Sequence, residues 1–325
     1  MTQDKSNLKF NELHTNSERT SNLIKVLMEW FHGPRDGIFA TLSKTELQDS
    51  APPADMTRGS YEHIMWLTLT VSIDYTRLAS ALWNAAKLTW TDQSTRWVFS
   101  PKEISSKSAE ELVIALKKYK LSRKPINDAK NWRTVALSFL KLFDGTPLKL
   151  FELYKYDASE IYWAMRSRYA KYFPFLSGAS ATSKILSLWL RVMKTEANVN
   201  LKNLENVPIP IDTHTARATL TTGCLVGKCN SSFNQFVSEA QDAWIEACKR
   251  TSPHCFPYQL DEPLWNLSRL GCSKRQNGKI CPVRSRCKLS SFCTAISSDA
   301  IIYPKKNGMT VVDTKYPEGR TLSIQ

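Results

Sequence analysis

Residues 264–293 read LWNLSRLGCSKRQNGKICPVRSRCKLSSFC, and four of the chain's eight cysteines fall inside them, at Cys272, Cys281, Cys287 and Cys293. Their spacing, C-x8-C-x5-C-x5-C, closes a compact loop. Thiolates crowded in this way repel one another, so a cation is their natural partner, and four sulfur ligands suit either tetrahedral zinc or an iron–sulfur cluster. Between Pro263 and Ser298 no residue is acidic, whereas Arg269, Lys274, Arg275, Lys279, Arg284, Arg286 and Lys288 are basic. A cationic loop stiffened by a metal is suited to gripping phosphate. The competing reading is a solvated basic tail with incidental cysteines.

The other four cysteines, Cys224, Cys229, Cys248 and Cys255, also lie in the last third of the 325 residues. A secreted disulfide scaffold spreads its cysteines through a much shorter chain, so this clustering argues for metal binding. These four are either a second metal site or small buried apolar residues. With 44 Lys+Arg against 30 Asp+Glu, the formal charge is +14, and polyanions are the expected large partners. No apolar run approaches the ~18–20 residues of a membrane span. The polar, acid-bearing N-terminus does not resemble a secretory signal. A soluble, non-secreted monomer is expected, cytoplasmic and nucleoid-associated or nuclear, with no membrane partner. Only 11 Gly and 15 Pro argue against a glycine-punctuated Rossmann or barrel architecture.

Periodicity predicts helices. After a polar arm over residues 1–20 comes a short amphipathic stretch at Leu23–Phe31, then a connector reaching Gly59. From Tyr61, the residues Ile64, Leu67, Val71, Leu78, Leu82 and Trp83 follow a period of about 3.6, with a break at Ser72-Ile73-Asp74. Further helices are expected over 109–119, 128–143, 158–169, 185–193 and 234–249. Over 128–143, Trp132, Val135, Ala136, Phe139, Leu140 and Phe143 share one face, Asn127 or Asp128 can cap the start, and Asp144-Gly145 ends it. No convincing strand precedes Thr310. The expectation is an all-α body divided into an N-terminal arm and helix (1–58), a helical barrel domain (59–205), C-terminal helices with the cysteine loop (206–298) and a loose tail (299–325).

The second informative segment is Pro208–Arg217, PIPIDTHTAR. It resembles the V-D-T-H-x-x-R stretch of the helix-hairpin-helix DNA glycosylases, the endonuclease III and adenine glycosylase superfamily. That family also has a helix ending in glycine before the first cysteine of a four-cysteine loop, and Gly271-Cys272 is similar. Its cluster spacing is C-x6-C-x2-C-x5-C, so only the last interval agrees here. Leu121–Phe143 followed by Asp144-Gly145-Thr146-Pro147 resembles the family's helix before the hairpin. The hairpin itself departs from the pattern. Where the family writes L-P-G-V-G, this chain has Leu176-Ser177-Gly178-Ala179-Ser180-Ala181-Thr182-Ser183-Lys184, keeping Gly178 and replacing the second glycine with Ser180.

The resemblance implies a two-lobed helix-hairpin-helix fold and a glycosylase that excises a damaged or mismatched base from double-stranded DNA. It implies a 4Fe–4S cluster on Cys272, Cys281, Cys287 and Cys293, with Zn2+ as the alternative. DNA contacts are expected at Gly178, Ser180, Thr182, Lys274, Arg275, Lys279, Arg284 and Arg286. Asp212 is the expected catalytic carboxylate, since breaking an N-glycosidic bond builds positive charge on the sugar; the competing role is a helix N-cap. Thr182 stands where lyase-competent members carry lysine, which implies a monofunctional enzyme using water. Lys184 instead fits a variant similar to the archaeal 8-oxoguanine glycosylases, implying an AP lyase whose amine attacks when neutral, helped by burial or by Arg191. The target base must be flipped out. The break at Val71–Tyr75 is the expected wedge, and Tyr75, Trp66 and Trp163 are either stacking residues or core. Competing classes are a DNA-binding protein without turnover on the same scaffold, and a zinc protein whose likeness to glycosylases is accidental.

Overall fold

The computed structural model describes residues 10–42, 50–75, 77–178, 184–275, 280–294, 300–302 and 309–314. In chain order the helices are α1 (Ser17–His32), α2 (Tyr61–Val71), α3 (Ala79–Thr91), α4 (Pro101–Ser106), α5 (Ala109–Lys118) and α6 (Pro125–Phe143). They continue as α7 (Pro147–Leu153), α8 (Ala158–Arg166), α9 (Lys184–Thr195), α10 (Thr213–Thr221), α11 (Phe233–Arg250) and α12 (Asp261–Leu270). Four short strands accompany them: β1 (Phe10–His14), β2 (Val226–Ser232), β3 (Ala300–Ile302) and β4 (Met309–Thr314). The chain divides into two compact units, one of residues 44–207 and one made from both ends, 1–43 with 208–325. No helix among the described residues is long and apolar enough to cross a membrane.

Among the described residues of the 44–207 unit the regular elements are helices. Its helices start where the sequence supplies caps: Ser60 for α2, a reciprocal Ser108/Glu111 box for α5, Thr146 for α7 and Asp157 for α8. The core is aromatic. Trp66 packs on Trp83 with ring centres 5.3 Å apart, Phe99 on Trp132 at 5.4 Å, Phe139 on Phe173 at 4.6 Å and Phe151 on Trp189 at 5.3 Å. Rings tilted at these separations gain quadrupole attraction beyond their burial. Every residue from Leu186 to Met193 is buried, as expected for a stretch apolar nearly all round.

In the other unit, α1 lies against α11 and α10 against α12. The arm expected to be polar and irregular is ordered from residue 10: β1 pairs antiparallel with β2, and Asn16 caps a helix starting at Ser17. The segment expected as a loose tail also contributes strands, giving a sheet of order β1-β2-β4-β3. The helical body stands with this small sheet added, and pairing across more than 200 residues of sequence explains why no local pattern announced it.

One boundary moved for a clear reason. Pro125 opens α6, because its fixed φ suits a first helical turn and it has no N–H to satisfy. Asp128 therefore lies inside that turn and caps nothing at its start. Its carboxylate is buried and accepts from Ser122 Oγ (2.8 Å), Arg123 N (2.8 Å), Lys124 N (2.9 Å) and the Tyr75 hydroxyl. Burial pushes this carboxyl up in pKa against the pull of those backbone donors.

Candidate functional site

Pro208–Ile211 runs in without regular secondary structure, and Asp212 caps α10 through Oδ1, which accepts from His214 N at 2.8 Å and Thr215 N at 3.0 Å. The half-buried carboxylate is thereby fixed at the positive end of a helix. Behind it, α10 is fastened to its surroundings. Arg217 Nη1 reaches Ser268 Oγ of α12 at 3.3 Å, and that hydroxyl stands 3.4 Å from His214 Nδ1. At its C-terminal end, Thr221 O accepts from Thr294 N at 2.8 Å, directly after the last loop cysteine. The helix carrying the T-H-T-A-R motif and the cysteine loop thus form one piece.

The loop itself is a series of short 3-10 turns over Cys272–Lys274, Arg284–Arg286 and Ser290–Phe292. All four cysteines are free thiols, and three of them, Cys272, Cys287 and Cys293, have raised proton affinity. Burial and the neighbouring Cys293, Cys287 and Cys281 push Cys272 well up, with Arg217 opposing. Burial, Cys293 and Cys281 push Cys287 up to about 12. Burial and Cys281 also raise Cys293, against Arg275 and Arg284. Among the described residues, no three His, Cys, Asp or Glu side chains stand in metal-holding geometry. The donor chemistry nonetheless fits a thiophilic cation. Four shielded thiols within electrostatic reach of one another are what such an ion would stabilise as thiolates.

The N-terminal helix braces this loop, a role that sequence reasoning missed. Arg19 donates to Thr222 O (2.8 Å), Gly223 O (3.2 Å) and Phe292 O, and lies over the Phe292 ring at 5.3 Å. Asp36 pairs with Lys288 at 3.1 Å and accepts from Trp30 Nε1 at 2.6 Å. Gly37 has φ +57°, and a Cβ there would collide with the carbonyl oxygen of Arg286. Only the burial of α1 residues against distant partners reveals these roles.

Of the expected DNA-contacting cations here, Lys274 and Arg286 are exposed and Arg284 is half-buried. Arg275 turns inward to Thr294 Oγ1 at 3.0 Å, while Lys279 lies outside the described residues. Cys224, Cys229, Cys248 and Cys255 are all core residues, matching the reading of them as small buried groups.

In the 44–207 unit, Gly178 closes a π-helical turn over Pro174–Gly178; Ser180 and Thr182 fall outside the described residues. Lys184 is the half-buried first residue of α9. Arg191, one face along, is buried and acts on Glu196, whose carboxyl burial raises to about 7. The apolar residues of the expected wedge, Val71 and Ile73, are fully buried and belong to the core, as does Trp66. Among the exposed large apolar residues is Ile126, 79% exposed in the first turn of α6. Arg123 and Lys124 flank it, and Lys124 lies 5.3 Å from the Tyr75 ring centre. Trp163 is 57% exposed and so is not core.

No family model and no curated protein matches this chain. Solved structures similar to it include two Endonuclease III–DNA complexes. One is a non-covalent Endonuclease III–DNA complex, 15% identical with a TM-score of 0.47, matched over 85% of this chain and 97% of that one. The other is a trapped Endonuclease III–DNA covalent intermediate with an estranged adenine, 14% identical with a TM-score of 0.47, over 85% of this chain and 98% of that one.

Proposed function

We propose that this chain is a DNA N-glycosylase of base excision repair, removing a damaged or mismatched base from duplex DNA. The observation that carries the reading is the joining of Asp212's helix to a basic four-cysteine loop through Arg217, Ser268, His214 and Thr294. A carboxylate fixed on a helix N-terminus keeps its position as charge develops on a sugar, and electrostatic stabilisation needs such preorganisation.

In this reading Asp212 stabilises the cationic sugar as the bond to the base breaks and the base leaves with the bonding electrons. Exposed Lys274 and Arg286 meet backbone phosphates. Cys272, Cys281, Cys287 and Cys293 would hold a 4Fe–4S cluster or Zn2+. When bound, that group would cross-link the loop. Lys184 supplies the attacking amine of an AP lyase; otherwise the enzyme is monofunctional and uses water.

Single-turnover excision on a panel of damaged and mismatched duplexes tests the glycosylase, with Asp212→Asn expected to lose activity on whichever duplex is cut. Intact substrates alongside salt-sensitive duplex binding would make the chain a non-enzymatic DNA-binding protein. Borohydride trapping to abasic DNA tests Lys184: an adduct lost in Lys184→Ala supports the lyase, and no adduct with the unaltered chain removes it. Visible absorbance of anaerobically purified protein separates iron–sulfur from zinc.

A further inference from the structure

A second run of the chain lacks acids. From Ile161 to Thr195 there is no Asp or Glu, and Arg166, Arg168, Lys171, Lys184, Arg191 and Lys194 are all basic. Its first third, from α8 into the turn that follows, alternates cations with rings. Arg166 lies over Tyr162 at 5.8 Å and donates to its hydroxyl at 3.2 Å. Arg168 lies over Tyr169 at 5.4 Å and Lys171 over Tyr172 at 5.0 Å. Tyr162 and Tyr169 are themselves buried, so they fix the cations from below. On the same helix Trp163 presents its indole to solvent, 57% exposed, braced edge-on by Tyr162 at 5.2 Å. The nearest acid in sequence, Glu160, sits one turn back toward the start of α8.

A large ring in water costs hydrophobic free energy unless something covers it, and an indole that shares Tyr162 with Arg166, with further cations in the turn that follows, is complementary to one ligand chemistry. A nucleobase stacks on the ring while its phosphates meet Arg168 and Lys171. Bases in a duplex keep their faces against one another, so the matching partner has unpaired bases. We infer that the surface of Trp163, Arg166, Arg168 and Lys171 binds single-stranded DNA, without participation of the cysteine loop or Asp212. The inference shares with the proposed function only the premise that DNA is the partner.

Fluorescence anisotropy with a labelled oligo-dT and the full chain tests it. Trp163→Ala should weaken oligo-dT binding about tenfold or more, and Trp163→Phe should retain most of the affinity. Replacing Arg168 and Lys171 together by alanine should flatten the slope of log K against log salt by about 1.4, the value for two single-strand phosphate contacts. Three results would overturn the inference. These are Trp163→Ala binding oligo-dT within twofold of the unaltered chain, an equal loss of blunt-duplex affinity, or tighter binding of an RNA oligomer of the same length. The assay requires no excision, so its outcome is independent of whether Asp212 is catalytic.

Discussion

The two acid-free stretches, one in each unit, are made rigid in different ways. Residues 161–195 have α8 and α9 in them, and buried rings beneath their cations; apolar burial alone gives that surface its shape. Residues 263–298 have α12 and then, among the described residues, only three-residue turns, and the loop is braced from outside by Arg19, Asp36 and Thr221. The inside of the loop is four thiols, of which Cys272, Cys287 and Cys293 are pushed up in pKa by burial and by neighbouring sulfurs. Similar charge, six cations against seven, therefore conceals unequal construction: one surface rests on a packed core, while the other would be settled by an ion on its sulfurs.

Removing the ion should separate the two most sharply. Cys281→Ser is expected to abolish stoichiometric metal, read by elemental analysis, and to open residues 272–294 to limited proteolysis. The helices of the 44–207 unit should keep their amide-exchange protection. Loss of protection in both units would end the contrast. Next in size is Asp212→Asn, which keeps a capping oxygen and removes the charge. Excision should fall about 10²–10³-fold, the range seen on losing one preorganised electrostatic group, with duplex affinity and melting temperature nearly unchanged.

The helical unit has its own weak point. Glu196 is almost wholly buried, 3.6 Å from Arg58, with its carboxyl raised to about 7. A raised acid pKa stabilises the fold fully below the unfolded value and loses that contribution as pH climbs through the folded one. Urea stability of the 44–207 unit should thus decline between about pH 4.5 and 7. Glu196→Gln should remove the decline and lead by up to about 3 kcal/mol at pH 8, since a tenfold difference in proton affinity between folded and unfolded chains corresponds to about 1.36 kcal/mol. A flat profile in the unaltered chain would dismiss the buried carboxyl as its source. The smallest effect concerns the brace: Gly37→Ala meets both a positive φ and the Arg286 carbonyl, and should cost about 2 kcal/mol. That loss should show as faster metal release, with the aromatic unit unaffected.

Much of the helical body was legible because its apolar residues recur on one face, as Trp132, Val135, Ala136 and Phe139 do along α6. The start of that helix was misplaced because Asp128 reads as a cap, whereas proline chemistry three residues earlier decides the boundary. The sheet was illegible: FNELH and VGKCNSS are short and polar, and what makes them strands is a partner far along the chain. At the candidate site, the order PIPIDTHTAR and the cysteine spacing drew attention to two segments that the structure joins, yet Arg19 and Gly37 carry no local mark. Burial of Val71 and Ile73 and exposure of Ile126 and Trp163 likewise depend on which face of each element meets the core.

Because the unit bearing the cysteines is assembled from both ends of the chain, its order of manufacture is constrained. Leu23, Ile24 and Leu27 of α1 leave the ribosome about 200 residues before α11 exists to cover them, an interval of about 10–40 s at ordinary elongation rates. The intervening helices can finish folding during that wait, while the first helix remains a greasy stub that a holding chaperone must shelter. Delivery of any metal is then necessarily among the last events in this protein's biogenesis.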